Sequence, residues 1–177
     1  MASRRMEDLD REMWILAEEF FAACKLDPWL TAHGIEAVLT DGRREPHEQF
    51  AKFKIGREFR DGKWIIVGKT VTDLIVGAHN VGAAIDVAPR RGGRFLYPDV
   101  LQRDLDKAVT SELRDVLRIR IVEGNVALKI MGEIGEGLGL EWGGRYGEST
   151  PGAGDGWDRV HHCLPNWKAA LAAMPST

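Results

Sequence analysis

Met6, Leu9, Met13, Leu16, Phe20 and Cys24 recur at the three- and four-residue spacing of one helix face, and Trp14, Ala17 and Phe21 widen the stripe. This predicts an amphipathic helix over residues 6–24. Asp27-Pro28 opens a short second helical turn that runs toward His33 and ends at Gly34. Ile35 to Thr40 reads as a short strand. Gly42 opens a turn, Pro46 lies near a helix start where proline is tolerated, and the helix that carries Phe50 and Phe53 stops at Gly56. Residues 58–70 are polar and glycine-punctuated around Trp64-Ile65-Ile66-Val67, the pattern of a loop or a short hairpin arm. Val71 to Val76 and Ala83 to Ala88 read as two strands flanking a turn at His79. Arg90-Arg91-Gly92-Gly93-Arg94 reads as a solvated loop.

Residues 99–117 are charged and predict a helix. Val122, Val126, Ile130, Ile134 and Leu138 step by four and predict a second long amphipathic helix ending at Gly139. The glycine-rich residues 143–156 predict a loop, Trp157 to Leu164 a last strand, and Pro165 to about Met174 a closing helix. Helices first, strands in the middle and a helix again favour an α+β fold over a ladder of βαβ units.

The 177 residues, 44% of them hydrophobic, fit one globular domain with its own core. A net charge of −3 gives no basic excess to attract phosphate, so no nucleic-acid partner is expected. The N-terminal MASRRMEDLDREMW lacks the apolar region of a secretory signal, and no apolar run reaches about 18 residues. The expectation is a chain made in the cytoplasm without stable membrane insertion, which needs another route if its target lies outside. Cys24 falls on the apolar helix face and reads as a buried free thiol. Cys163 follows two histidines, which leaves a metal role open for it.

Candidate chemistry gathers in two places. His79 and Asp86 lie seven positions apart with Gly82 between them. A tight turn after His79 lets the chain double back into a strand that aims Asp86 to the same side. Far downstream, Asp158 precedes His161 by three. Two histidines and a carboxylate suit a catalytic zinc with one position left open, and the remaining carboxylate could act as a general base. Side chains alternate along a strand, so only one of His161 and His162 can face such a metal.

These segments resemble the zinc D-Ala-D-Ala carboxypeptidase / L-alanyl-D-glutamate endopeptidase family, the VanY-like group that includes many phage endolysins. Residues 77–86 are similar to its Ser-x-His-x-x-Gly-x-Ala-x-Asp pattern, with Gly77 in place of serine. Gly139-Leu140-Glu141-Trp142-Gly143-Gly144 and Asp158-Arg159-Val160-His161 resemble its later Gly-Leu-x-Trp-Gly-Gly and Asp-x-x-His patterns. Upstream, Gly42-Arg43-Arg44-Glu45-Pro46-His47-Glu48-Gln49 and Gly56-Arg57 resemble Gly-Tyr-Arg-Ser-x-x-x-Gln with a following Gly-Arg. Arg43 stands where an aromatic is usual, Glu45 where serine is usual, and His162-Cys163 where Phe-Glu is common. The resemblance spans about residues 28–163.

It implies a hedgehog/D-Ala-D-Ala peptidase-like α+β fold, with a small central antiparallel sheet carrying a zinc site and helices flanking it. Residues 1–177 would form a single zinc peptidase domain. His79, Asp86 and His161 would be the Zn2+ ligands, Asp158 the base that deprotonates the attacking water, and Arg44 the cation near the substrate carbonyl. The implied function is hydrolysis of peptidoglycan stem peptides, as an L-alanyl-D-glutamate endopeptidase serving phage or prophage lysis after holin-type release to the cell wall or periplasm. A D,D-carboxypeptidase of the same fold and a non-catalytic zinc-binding recognition module are the alternatives. A monomer is the expected state.

Overall fold

The first helix starts later than its apolar stripe. In the computed structural model, which describes residues 3–70, 75–147, 150, 153–154, 156 and 158–173, Met6–Asp8 form a 3-10 turn. Helix α1 then runs Arg11–Leu26, capped by the Asp10 carboxylate, which accepts from the Glu12 N–H. Asp27 caps α2 (Pro28–Ala32) in the same way. Strand β1 (Glu36–Asp41) and helix α3 (Pro46–Lys54) follow. Residues 58–70 contain a true hairpin, β2 (Arg57–Arg60) with β3 (Lys63–Ile66), turning at Asp61-Gly62.

Of the strand expected over 71–76, residues 71–74 lie outside those described. Ile75 and Val76 form a bend instead, and His79 sits in a 3-10 turn, Ala78–Val81. Strand β4 (Ala84–Arg91) runs on into the expected loop, and Gly92-Gly93 turns it into β5 (Arg94–Phe95). The charged stretch is not one helix over 99–117. Helix α4 (Pro98–Lys107) stops at Ala108, which is extended and buried, and α5 (Ser111–Gly137) restarts beyond it. The Thr110 side chain caps α5 by accepting from the Leu113 N–H. A short β6 (Glu141–Trp142) precedes a 3-10 turn at Gly143–Arg145. The last strand, β7 (His161–Cys163), is shorter than expected because 158–160 form a turn; Trp157 lies outside the described residues. Helix α6 spans Trp167–Ala172, and Met174 also lies outside. Among the described residues no helix is long and apolar enough to cross a membrane.

The fold is α+β. Strands β1-β4-β7-β6 form an antiparallel sheet, with β5 added to β4, and helices flank it. One face of β4 carries Ile85 and Val87 into the main core, where Met13, Ala17 and Phe20 of α1 and Ala127 and Met131 of α5 meet them. Fully burying side chains of this size contributes roughly 1.5–3 kcal/mol each. Helix α5 approaches the sheet closely. A Cβ on Gly132 would lie 2.1 Å from the Trp142 indole, and one on Gly135 would lie 2.5 Å from the His162 ring. The opposite face of β4 and β7 carries Ala84, Asp86, His161 and Cys163, away from the long helices.

Candidate metal centre

His79 is held by its own turn and by the chain beside it. Gly82 ends the turn at φ 71°, where a side chain would be strained, and a Cβ there would lie 2.6 Å from the Asp10 nitrogen. The Asn80 side chain accepts from the Gly77 N–H (2.8 Å) and donates to the Arg44 carbonyl (2.9 Å). The Arg44 N–H returns a bond to the His79 carbonyl at 2.9 Å. His79 Nδ1 lies 2.6 Å from the Gly42 carbonyl, so Nδ1 carries the proton and Nε2 presents its lone pair. Ser3 bonds to both Gly42 and Arg43 through its backbone, which ties the N-terminal segment to this support.

Asp86 and His161 are direct partners across β4 and β7 and therefore point to one side. Three donor atoms converge there. His79 Nε2, Asp86 Oδ1 and His161 Nδ1 lie 3.2 Å from one another in every pairing. A tetrahedral ion with bonds of about 2.0–2.1 Å has ligand atoms about 3.3–3.4 Å apart, so the triangle has the size of one face of such a shell. Two imidazole nitrogens and a carboxylate oxygen are also the donor types that zinc takes. The trio could hold a metal ion.

The electrostatics carry the same demand for positive charge. Burial alone would raise the Asp86 carboxyl, but its interactions with the His79 and His161 rings hold it well below the usual range. Burial alone would lower the His161 imidazole. The hydrogen bonds to Asp86 and Cys163, with the charges of Asp86 and Asp158, instead raise it to about 10.

His162 faces the other way. It is fully buried against Phe20, with ring centroids 4.9 Å apart, and burial pushes its imidazole down to about 4. Asp158 lies in the turn before β7, outside the close trio. Its carbonyl accepts from the His161 N–H, and its carboxyl is raised chiefly by burial while sensing His161, Asp86, His79 and Lys52. Gly143 makes this placement possible, since a Cβ there would lie 2.2 Å from the Asp158 carbonyl oxygen. Trp142 donates its indole N–H to the Arg159 carbonyl at 2.8 Å. The Trp-Gly-Gly stretch thus seats the Asp-x-x-His turn.

Arg43 is exposed, whereas Arg44 is buried beside the trio. Arg44 donates to Gln49 Oε1 (2.5 Å) and to Asp41 Oδ2, and its charge lies 3.9 Å from Asp86 Oδ2. Among the described residues its Nε has no hydrogen-bond partner. Lys52 also bonds Asp41, at 3.0 Å. Thr40 donates its hydroxyl to the Asp86 carbonyl at 3.0 Å.

Cys163 shares the face of His161 and is not among the three close donors. Its thiol lies 3.8 Å from Glu141 Oε2 and 3.8 Å from the Tyr146 hydroxyl. The register pairs Glu141 of β6 with Cys163, so a carboxylate reaches the back of His161 through a thiol. Cys24 is a buried free thiol, pushed up to about 12 by burial. Sequence reasoning assigned no role to Asp41, Gln49, Thr40, Glu141 or Tyr146. Gln49 and Glu141 lay inside the family-like segments, whereas Asp41, Thr40 and Tyr146 are placed only by the folded chain.

No family model matches the sequence, and no curated protein matches it. Among solved structures, the chain is similar to the crystal structure of the Serratia marcescens L-Ala D-Glu endopeptidase ChiX. The identity is 14%, the coverage 96% of this chain and 92% of that one, and the TM-score 0.49.

Proposed function

We propose that the chain is a zinc-dependent peptidoglycan peptidase, an L-alanyl-D-glutamate endopeptidase acting as a phage or prophage endolysin. One observation carries this reading. Residues 77–86 and 158–161, far apart in the chain, supply three donor atoms 3.2 Å apart, and Asp158 of the second segment and Arg44 of a third, residues 42–49, border them.

His79, Asp86 and His161 would hold Zn2+, which supplies Lewis acidity and makes water a usable nucleophile near neutral pH. The Gly42 carbonyl fixes the His79 tautomer, and strand pairing fixes Asp86 against His161. Asp158 is the proton acceptor for the attacking water. Its burial raises its basicity above that of an ordinary carboxylate, which suits a group that must take a proton and hand it to the leaving amine. Arg44 places fixed positive charge at the rim of the trio, where charge develops on the scissile carbonyl oxygen; such a charge contributes on the order of 3 kcal/mol. Asp41 and Gln49 hold its guanidinium in place. The substrate is the stem peptide of peptidoglycan. The whole chain serves as one peptidase domain, reaching the wall or periplasm after holin-type release.

Metal content and turnover of Asp158→Asn test the assignment. The variant should keep its zinc and release amino groups from peptidoglycan at least about 100-fold more slowly. A zinc-loaded wild-type protein that binds peptidoglycan and releases no amino groups would make it a recognition module instead.

A further inference from the structure

The β2–β3 hairpin takes no part in the metal centre, yet its surroundings carry charge opposite to the chain as a whole. Residues 52–69 hold six basic side chains and two acidic ones, in a chain of net charge −3. Lys54, Arg60, Lys63 and Lys69 are exposed. Among these charges stand apolar side chains at least half exposed: Ile55 at 50%, Phe59 at 59%, Ile66 at 63% and Val67 at 52%.

The pairing explains their placement. Phe59 opposes Trp64, and Ile66 opposes Arg57, so all four share one face of the hairpin. Trp64 anchors that face on α3 by edge contacts with Phe50 and Phe53, at 5.7 and 5.8 Å. Phe59 and Ile66 extend past the anchor. At the base, Val67 donates its N–H to the Gly56 carbonyl, which brings Ile55 and Val67 together. The aliphatic Ile55, Ile66 and Val67 offer no hydrogen bond to sugar hydroxyls or peptide carboxylates. They do insert at the boundary between lipid headgroups and acyl chains, where neighbouring lysines meet phosphate.

We propose that this arm docks the protein, peripherally and reversibly, on an anionic lipid surface. Helix α3 links the arm to the centre through Gln49 on Arg44 and Lys52 on Asp41, so docking would set the distance of the centre from that surface. The proposal is independent of the chemistry assigned above.

The test is co-sedimentation of the full chain with phosphatidylglycerol-containing vesicles, with pure phosphatidylcholine vesicles and with purified peptidoglycan sacculi. The expected result is binding to the anionic vesicles that weakens as salt is raised. Lys63→Gln with Lys69→Gln should lower the partition about 30-fold, and Phe59→Ser with Ile66→Ser at least about tenfold. Unchanged thermal midpoints would show both variants intact, as their exposure leads one to expect. Equal binding to neutral vesicles, no effect in either double variant, or arm-dependent capture by sacculi in place of vesicles would overturn it.

Discussion

Replacing Gly143 with alanine should cripple turnover while leaving the metal in place. A Cβ there would lie 2.2 Å from the Asp158 carbonyl oxygen and 3.0 Å from the Asp158 Cβ. Carbon–oxygen contacts normally reach about 3.3–3.6 Å, so the 158–160 turn must retreat by roughly 1 Å. It cannot do so freely, because the Trp142 indole and Asn125 grip Arg159 within it. A displacement of about 1 Å at a reacting group costs on the order of 100-fold in rate. The overpacking itself should cost about 1–3 kcal/mol, or roughly 2–12 °C in thermal midpoint for a chain of this size. Gly137→Ala is the control: among the described residues nothing beyond its own helix backbone and chain neighbours lies within 4 Å of its added Cβ, and it should be silent or slightly stabilising. The assay is amino-group release from purified muropeptides, with metal content measured on the same samples. A folded Gly143→Ala protein with wild-type turnover would refute the placement of Asp158 as the base.

His79→Ala and His161→Ala should each lose the metal, whereas His162→Ala should keep it at a cost in stability; metal analysis showing the reverse for the adjacent histidines would overturn the ligand assignment. Arg44→Ala should lose about 2–4 kcal/mol of transition-state stabilisation in kcat/KM, Arg44→Lys should retain part of it, and the exposed Arg43→Ala should be nearly silent. His162, neutral in the core at about 4 against about 6.5 in the unfolded chain, contributes stability that is present above pH 6.5 and lost as pH falls toward 4. Urea titrations should show up to about 3 kcal/mol of that loss, and His162→Leu, compared at the same metal content, should flatten the slope by that amount.

The short-range features of the centre were legible in the sequence because their geometry is local. His79 and Asp86 are joined by one turn and one strand, and Asp158 and His161 by a single turn. What escaped was set by pairing between distant segments. Glu141 reaches Cys163 only through the β6–β7 register, and Lys52 meets Asp41 only once α3 turns back toward the end of β1. Alternation could say that one histidine of the pair faces the metal but not which. The structure separates them through Gly135, whose missing side chain leaves room for the His162 ring under α5. Helix boundaries failed for a similar reason. The charged pattern over 99–117 continues through Ala108, while burial of that residue and the Thr110 cap break the helix there. Strand β4 outlasts its apolar run because Glu36 and Ala37 of β1 still pair with Arg90 and Pro89.

The decisive measurement is mass spectrometry of peptidoglycan digested by the purified protein, with and without a chelator. Stem peptides newly cut between L-Ala and D-Glu are expected, lost on chelation and restored by zinc. An unchanged muropeptide profile from zinc-loaded protein, or cleavage that survives complete removal of the metal, would contradict the proposed function.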